Sequence, residues 1–518
     1  MIAFWRLAVN DRFSADRGRK APDPLFHYLA VKNAFKMTKR LFGLILILSA
    51  YGWQACSPSH SATASGTGAT PGRSSGLSLQ PFVVDSLLAQ PGLQSAQVGI
   101  SLYDPAAATW LYNYQGDKYF IPASNTKLFS LYAGLSYLGD SLVGMRYWIT
   151  DTALFVIPSG DPTFLHPAYT SQPVIDLMRK VGKNIWLFDN NWQDNALGRG
   201  WAWDDYNDDY ASERSPFPIY GNLIRWVQDR PKGNSNDPFG ASPSIYSIPE
   251  VDWEVKFNPD TAKKNFFVHR YRDQNVFEVT EGKEDHKEQY TPFITDGLAS
   301  TALLLKDTAG KPAGVKHLKL SVAGQLAAGS STPTLPGVLA AAGWTVIHSR
   351  PVDSMFVPMM HNSDNFFAEQ TLLMAGNEGW GTMDDAHTID YLLQHDLDSL
   401  PQKPSWVDGS GLSRNDLFTP QDFVWILNKL QQKFGLPRLQ RILPTGGTGT
   451  LASYYRQDST FIYAKTGSLT GVAALSGYLI TKKGHLLIFS ILVNNYTGSG
   501  VAVRRQMEKL IHRIRDTY

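Results

Sequence analysis

Cysteine is nearly missing from this 518-residue chain: Cys56 stands alone, so no intrachain disulfide can form. Charge of one sign is missing too. The 48 Lys and Arg against 46 Asp and Glu leave a formal net charge of +2, and the basic residues are dispersed. That gives no footing for nucleic acid or for an acidic polymer. No internal repeat is evident. The chain has no His-Glu-x-x-His, no Gly-x-Ser-x-Gly elbow and no Walker loop, which removes the usual support for a zinc protease, an α/β-hydrolase or a P-loop NTPase. Its 12 histidines show no ligand-like pairing, so neither a metal nor a cofactor is expected. The apolar run at 41–50 falls well short of the roughly 20 residues that a membrane-spanning helix needs.

What is present is a set of three short motifs in order. Ser124-Asn-Thr-Lys127 is the only serine with a lysine three residues later. Leu128, Leu131, Tyr132, Leu135 and Leu138 follow at helical spacing, and Gly139 is a plausible stop. Ser124 would then lie at a helix N-terminus, where free N–H groups and the macrodipole favour developing negative charge. Lys127 would sit one turn later, within reach of the hydroxyl. Partial burial beside Leu128 and Phe129 would lower its pKa and let it act as a base. The plain alternative is a serine that caps a core helix beside a solvated lysine.

Lys465-Thr-Gly467 is the only such triplet and has strand character on entry. Gly467 marks a close backbone approach. Lys465 and Thr466 on that strand could hold a substrate carboxylate, and the N–H groups of Ser468 and Ser124 could form an oxyanion hole. A hairpin arm with a surface lysine is the ordinary reading of such a triplet on its own. Between these two motifs the chain offers two Ser-x-Asn candidates. Ser363-Asp-Asn365 precedes a helix-like run, whereas Ser413-Arg-Asn415 closes the glycine-rich loop at 408–415. Ser363 and Asn365 are favoured because Ser-Asp-Asn is the more specific triplet, although a polar pair there could be only an N-cap.

With these motifs the chain resembles the low-molecular-mass penicillin-binding proteins that act as D-alanyl-D-alanine carboxypeptidases and endopeptidases, in the branch with a large insertion between the first and second motifs. The resemblance runs from about Phe82 to the C-terminus. It rests on Pro122-Ala-Ser-Asn-Thr-Lys127, Ser159-Gly-Asp-Pro162, Trp201-Ala-Trp-Asp-Asp205 with Tyr210, Ser363-Asp-Asn-Phe-Phe-Ala-Glu369, Asp408-Gly-Ser-Gly-Leu-Ser-Arg414, Leu443-Pro-Thr-Gly-Gly-Thr-Gly-Thr-Leu451 and Lys465-Thr-Gly-Ser-Leu-Thr-Gly471. Ser159, where the family usually has glycine, and the aromatic pair Phe366-Phe367 depart from its pattern. The family's Ser-x-Asn directly before Ala-Glu also supports Ser363 over Ser413. The resemblance implies an α+β penicillin-binding protein/serine β-lactamase-like fold, an antiparallel sheet flanked by helices and split by a β-rich insertion. It implies hydrolysis of D-Ala-D-Ala on peptidoglycan stem peptides through an acyl-enzyme. Ser124 would be the nucleophile, Lys127 its base, Ser363 and Asn365 their partners, and residues 465–468 the substrate-binding strand. β-Lactam antibiotics would be covalent inhibitors. A β-lactamase or esterase would carry the same motifs, and a non-catalytic wall-binding protein the same fold. The large insertion and the complete motif set weigh against both.

Domain organisation follows. Residues 1–36 read as a mis-assigned upstream extension, because Met37 stands at the right distance to open a secretory signal at 37–56. Lys39 and Arg40 precede its apolar run, and Cys56 follows it like a bacterial lipoprotein attachment site. Residues 57–78, rich in Ser, Gly and Thr, read as a tether. Residues 79–145 and 346–518 would form the catalytic domain, with the insertion at 146–345. Within them, 83–88 suggests a first helix, 97–103 with 110–114 a hairpin, 153–157 and 318–322 strands, 473–480 and 485–493 buried strands. Val503, Met507, Leu510 and Ile514 line one face of a terminal helix. The enzyme is expected to be exported, with a possible lipid on Cys56 holding it at a membrane.

Overall fold

A computed structural model describes residues 89–90, 92–230, 243–258, 265–316 and 344–518. The expected leader, Cys56, the tether, the helix at 83–88 and the strand at 318–322 lie outside the described residues. The body of the molecule is an antiparallel five-stranded sheet. Strands β1 (Gln97–Asp104) and β2 (Thr109–Tyr114) form the expected hairpin, and β3 (Ile462–Leu469), β4 (Val472–Ile480) and β5 (Leu486–Asn494) form a meander. The order is β3-β4-β5-β1-β2, so chain ends far apart in sequence meet where Gln97 pairs with Asn494 and Tyr103 with Ile488.

Among the described residues seven helices complete this body: α1 (Lys127–Tyr137), α2 (Asp353–His361), α3 (Asn365–Trp380), α4 (Asp385–Gln394), α5 (Pro420–Phe434), α6 (Leu436–Ile442) and α7 (Gly500–Thr517). β4 and β5 read as near-continuous apolar runs because both faces of the sheet are covered. On one face Tyr478, Ile488 and Leu492 join the core built by α1, α3 and α5. On the other, Leu475, Phe489 and Val493 meet Val503, Met507, Leu510 and Ile514 of α7. Each of those α7 side chains contributes about 1.5–3 kcal/mol by leaving water.

α1 is buried beyond the apolar residues that recur at helical spacing. Every residue from Lys127 to Leu135 is buried, as befits a helix enclosed by α3, α5 and the sheet. α3 starts where the Asp364 carboxylate accepts from the Phe367 N–H at 2.9 Å, a side-chain cap that sets its first turn beside the cleft.

Between α1 and α2 lies a second body with its own core. Its largest sheet runs in the order Ala313–Lys316, Asn184–Phe188, Ala153–Pro158, Ser141–Ile149, Thr345–Pro351, with helices Pro173–Val181 and Ala299–Ala309 nearby in sequence. Two three-stranded sheets accompany it, and Phe164, Phe217, Trp226, Phe277 and Phe293 fill the interior. Strands Ser141–Ile149 and Thr345–Pro351 are neighbours, with Thr345 opposite Tyr147. The chain therefore leaves and re-enters the body side by side, and positions 146 and 345 fall inside that ladder.

Candidate active site

Ser124 sits in a short 3-10 turn, Ala123–Thr126, that runs directly into α1. The turn is pinned from several sides. Asn125 donates to Ser476 Oγ at 2.7 Å, and Ser476 donates to Ser490 Oγ at 2.8 Å, a buried polar chain set into an otherwise apolar sheet. Asn494 holds the incoming segment by accepting from the Ile121 N–H and donating to the Ile121 carbonyl. Ala123 is left-handed at φ +47, backbone strain of the kind that surrounding structure must hold in place. Two glycines permit the close packing. A Cβ on Gly467 would stand 2.6 Å from the Pro122 carbonyl oxygen, and one on Gly411 would stand 1.9 Å from that of Ala123.

Lys127 is fully buried, and its Nζ donates to Ser124 Oγ at 2.9 Å, to Asn365 Oδ1 at 2.7 Å and to the Ser410 carbonyl at 2.8 Å. Burial lowers its pKa to about 8, although the charges of Asp408, Glu369, Asp364 and Asp416 oppose that shift. A minor neutral fraction, about a tenth, is thus available at pH 7 to act as a base. Lys465, equally buried, donates to Ser363 Oγ at 2.9 Å and to the Thr466 carbonyl at 2.8 Å. Burial first, and then the charge of Lys127, push its pKa well down. Ser363 itself is left-handed at φ +59, which costs about 1–2 kcal/mol and aims the residue before the α3 cap.

Ser124, Ser363, Asn365 and Ser468 line one cleft of about 620 Å³, together with Asp205, Tyr210, Leu412 and Arg414. Asn365 and Ser363 are the partners of the two lysines. Ser413 is turned into its own loop, where its Oγ accepts from the Asn415 N–H at 3.1 Å. Strand alternation sends Lys465 and Thr466 to opposite faces of β3. Lys465 meets Ser363, whereas Thr466 lines a recess with Tyr454, Leu475, Arg504 and Met507 on the α7 side. The carboxylate-holding pair expected from sequence is therefore divided between two surroundings.

Several groups at the site carry no motif role in sequence. The Ser410 carbonyl fixes Lys127, and the loop that presents it hangs on Asp408, whose carboxylate accepts from Gly411 N at 2.6 Å, Ser413 N at 2.7 Å and Trp201 Nε1 at 3.1 Å. Glu369 accepts from Ser410 N at 2.8 Å and lies 3.4 Å from Arg214. Arg214, buried, also pairs with Asp194 at 2.7 Å and with Asp385. Burial works against the Arg214 charge, but Asp385, Glu369 and Asp194 outweigh it and hold the pKa above its ordinary value. Asn365 Nδ2 donates to the Tyr210 carbonyl at 3.0 Å. Trp201, Asp408 and Glu369 are visible in sequence only as letters inside the longer motifs that carry the resemblance; Arg214 and Arg504 give no sequence signal. Among the described residues no group of His, Cys, Asp and Glu is arranged to hold a metal.

The family model for the D-Ala-D-Ala carboxypeptidase 3 (S13) family matches residues 82–517. A D-alanyl-D-alanine carboxypeptidase from Actinomadura sp. (strain R39) is 26% identical over 448 residues, covering 80% of this chain and 81% of that protein. The crystal structure of penicillin binding protein 4 (dacB) from Haemophilus influenzae aligns with a TM-score of 0.64 at 19% identity, over 84% of this chain and 99% of that one. The same protein complexed with a novel β-lactam aligns at 0.59, with 18% identity, over 84% and 100%. At such identities these likenesses establish the fold: penicillin-binding protein-like α+β.

Proposed function

The chain belongs to the D-Ala-D-Ala carboxypeptidase 3 (S13) family and is a serine DD-peptidase, and we propose that Ser124 is its nucleophile. The observation that carries this reading is the Lys127 Nζ, held between Ser124 Oγ and Asn365 Oδ1 at the floor of the cleft. Neutral Lys127 takes the Ser124 proton as Oγ attacks the carbonyl of the penultimate D-alanine. The N–H groups of Ser124 and Ser468 face the developing oxyanion. Ser363 relays to the leaving amine the proton that Lys127 took from Ser124, so both regain their starting forms; because Lys465 donates to Ser363 Oγ, the serine hydrogen is free to point at that amine. Water then attacks the ester, releases the shortened stem peptide and returns Ser124. The same steps apply when the leaving amine belongs to a second, cross-linked stem. β-Lactams, opened by the same attack, would leave a slowly hydrolysed ester on Ser124.

Labelling with a fluorescent penicillin tests this. A lasting adduct is expected on the wild type and none on Ser124→Ala, whose fold should be intact because the substitution removes only one cleft hydroxyl. The labelling rate of the wild type should rise with pH as Lys127 loses its proton, and level off above about 8. An adduct on another serine in Ser124→Ala, or rapid turnover of the penicillin by the wild type, would refute the assignment or move the activity to a β-lactamase.

Stem peptides of the wall lie outside the cytoplasmic membrane, so the enzyme acts in the cell envelope. Among the described residues no helix is long and apolar enough to cross a membrane. The placement of Cys56 after the basic and apolar leader supports acylation of that cysteine as the anchor. Cys56→Ser should then release active enzyme into the soluble fraction. A wild-type mature N-terminus other than a lipid-bearing Cys56, read by mass spectrometry, overturns the anchor alone.

A further inference from the structure

The amine of Lys127 can act as a base only if its lone pair faces the Ser124 hydroxyl, so its orientation needs a cause. Three acceptors surround its Nζ: Ser124 Oγ, Asn365 Oδ1 and the Ser410 carbonyl. A protonated lysine has one hydrogen for each of them. Neutral, it keeps two hydrogens and gains a lone pair. The Ser410 carbonyl can only accept, and so can Asn365 Oδ1, whose amide group is turned the other way by its bond to the Tyr210 carbonyl. The Ser124 hydroxyl alone can also donate. The two carbonyl oxygens therefore take the two hydrogens, and the lone pair is left pointing at Ser124.

One of these oxygens belongs to the main chain and needs a support of its own. A trans peptide unit is planar, with its C=O and N–H directed oppositely. Whatever fixes the Gly411 N–H therefore also fixes the Ser410 C=O. Asp408, fully buried, does this: its Oδ1 accepts from Gly411 N at 2.6 Å, across the same peptide from the 2.8 Å bond between Ser410 O and Lys127. Its Oδ2 accepts from Ser413 N at 2.7 Å and from Trp201 Nε1 at 3.1 Å, so the carboxylate is itself held from two more sides. A carboxylate on the N–H side also polarises the peptide and strengthens its carbonyl as an acceptor. Glu369 is a weaker candidate for the task. The Ser410 N–H that it holds belongs to the preceding peptide, and the φ and ψ of Ser410 stand between that N–H and the C=O.

The charges around Lys127 point the same way. Burial lowers its pKa, and the charge of Asp408 is the largest influence that raises it, ahead of Glu369 and Asp364 from α3 and Asp416 from the end of the same loop. Lys465 of β3 brings the opposing positive charge.

We infer that Asp408 is the positioning residue of the base: through the Ser410–Gly411 peptide it turns the lone pair of Lys127 onto Ser124, and Trp201 of the insertion steadies it there. This rests on the reading of Ser124 as nucleophile and Lys127 as its base.

The test follows the rate of Ser124 acylation by a fluorescent penicillin against pH, for wild type, Asp408→Asn, Trp201→Phe and Asp422→Asn. The wild-type curve should have its midpoint near 8. Asp408→Asn removes a negative charge that favours protonated Lys127, so its midpoint should move to lower pH. Its plateau should nevertheless fall about a hundredfold, as misplacing a catalytic group can cause. Trp201→Phe keeps the charge and loses one support, so its midpoint should stay while its plateau falls several-fold. Asp422→Asn alters a buried carboxylate that only accepts from the Thr419 and Gln402 N–H groups at the start of α5, and should move neither. Loss of folded protein changes how much is labelled, not the midpoint. If Asp408→Asn does not fold, the Trp201→Phe curve decides. A wild-type plateau in Asp408→Asn or Trp201→Phe, a plateau loss in Asp408→Asn without the acid shift, or an equal loss in Asp422→Asn would overturn the inference and leave the nucleophile in place. A wild type that takes no penicillin on Ser124 overturns both.

Discussion

The sheet-and-helix body and the inserted region bury their surfaces in different ways. In the body, β5 is buried at all but its first residue and α1 is buried from Lys127 to Leu135. In the insertion some strands lie open: Ser244–Ile248, in one of its three-stranded sheets, alternates between exposed and half-buried positions, and Trp203 and Phe257 are 70% and 67% exposed. The insertion carries none of the three motifs. Even so, the stretch from Trp201 to Arg214 reaches into the body at three points: Trp201 to Asp408, the Tyr210 carbonyl to Asn365, and Arg214 to Glu369. The latter two also lead on to Lys127, in one further bond through Asn365 and in two through Glu369 and Ser410, whose N–H meets Glu369 and whose carbonyl meets Lys127. The lesson is that Lys127 is positioned jointly, by motif residues of the body and by a segment that belongs, in sequence, to the insertion.

The strongest way to break that comparison is to cut the buried junction. Arg214→Met leaves Asp194, Glu369 and Asp385 facing one another without their cation, and should cost about 3–5 kcal/mol in denaturant unfolding. Arg225→Met, which removes a half-exposed pair with Glu288 at 3.7 Å on the insertion's own sheet, should cost about 0–1 kcal/mol. Similar small costs for the two would mean that the junction is not a structural link between the regions.

A smaller effect sharpens the role of the body's own loops. Ser363→Ala should slow penicillin acylation by roughly a hundredfold or more, as loss of a positioned proton-transfer group does. Ser413→Ala should slow it far less, since that hydroxyl serves only the Asn415 N–H of its own loop. An equal or larger loss at Ser413 would transfer the proton-relay role to the loop at 408–415.

Much of this was legible in order along the chain. Ser124 with Lys127 one turn on, the hairpin before them, the apolar runs of β4 and β5 and the amphipathic α7 all follow from periods of about 3.6 and 2, which are local properties. The fold class and the family's chemistry followed from the motifs. The sequence left two Ser-x-Asn candidates open, because either triplet satisfies the order and neither reveals which residues meet the lysines. Asp408 and Glu369 could be read as letters in a motif but not as the supports of the Ser410 carbonyl.

What the sequence by itself determined is local: which segments are helix or strand, which of them carry Ser124 and the two lysines, and that two backbones come close at Gly467. Tertiary structure alone decided which polar groups share an interior. Lys127 has its lowered pKa because distant segments enclose it, and Arg214 keeps its charge because Asp194, Glu369 and Asp385 converge from three separate stretches of chain. Such pairings have no period to betray them. Desolvation and Coulomb energy depend on what surrounds a group in space, and that is settled only when the whole chain has packed.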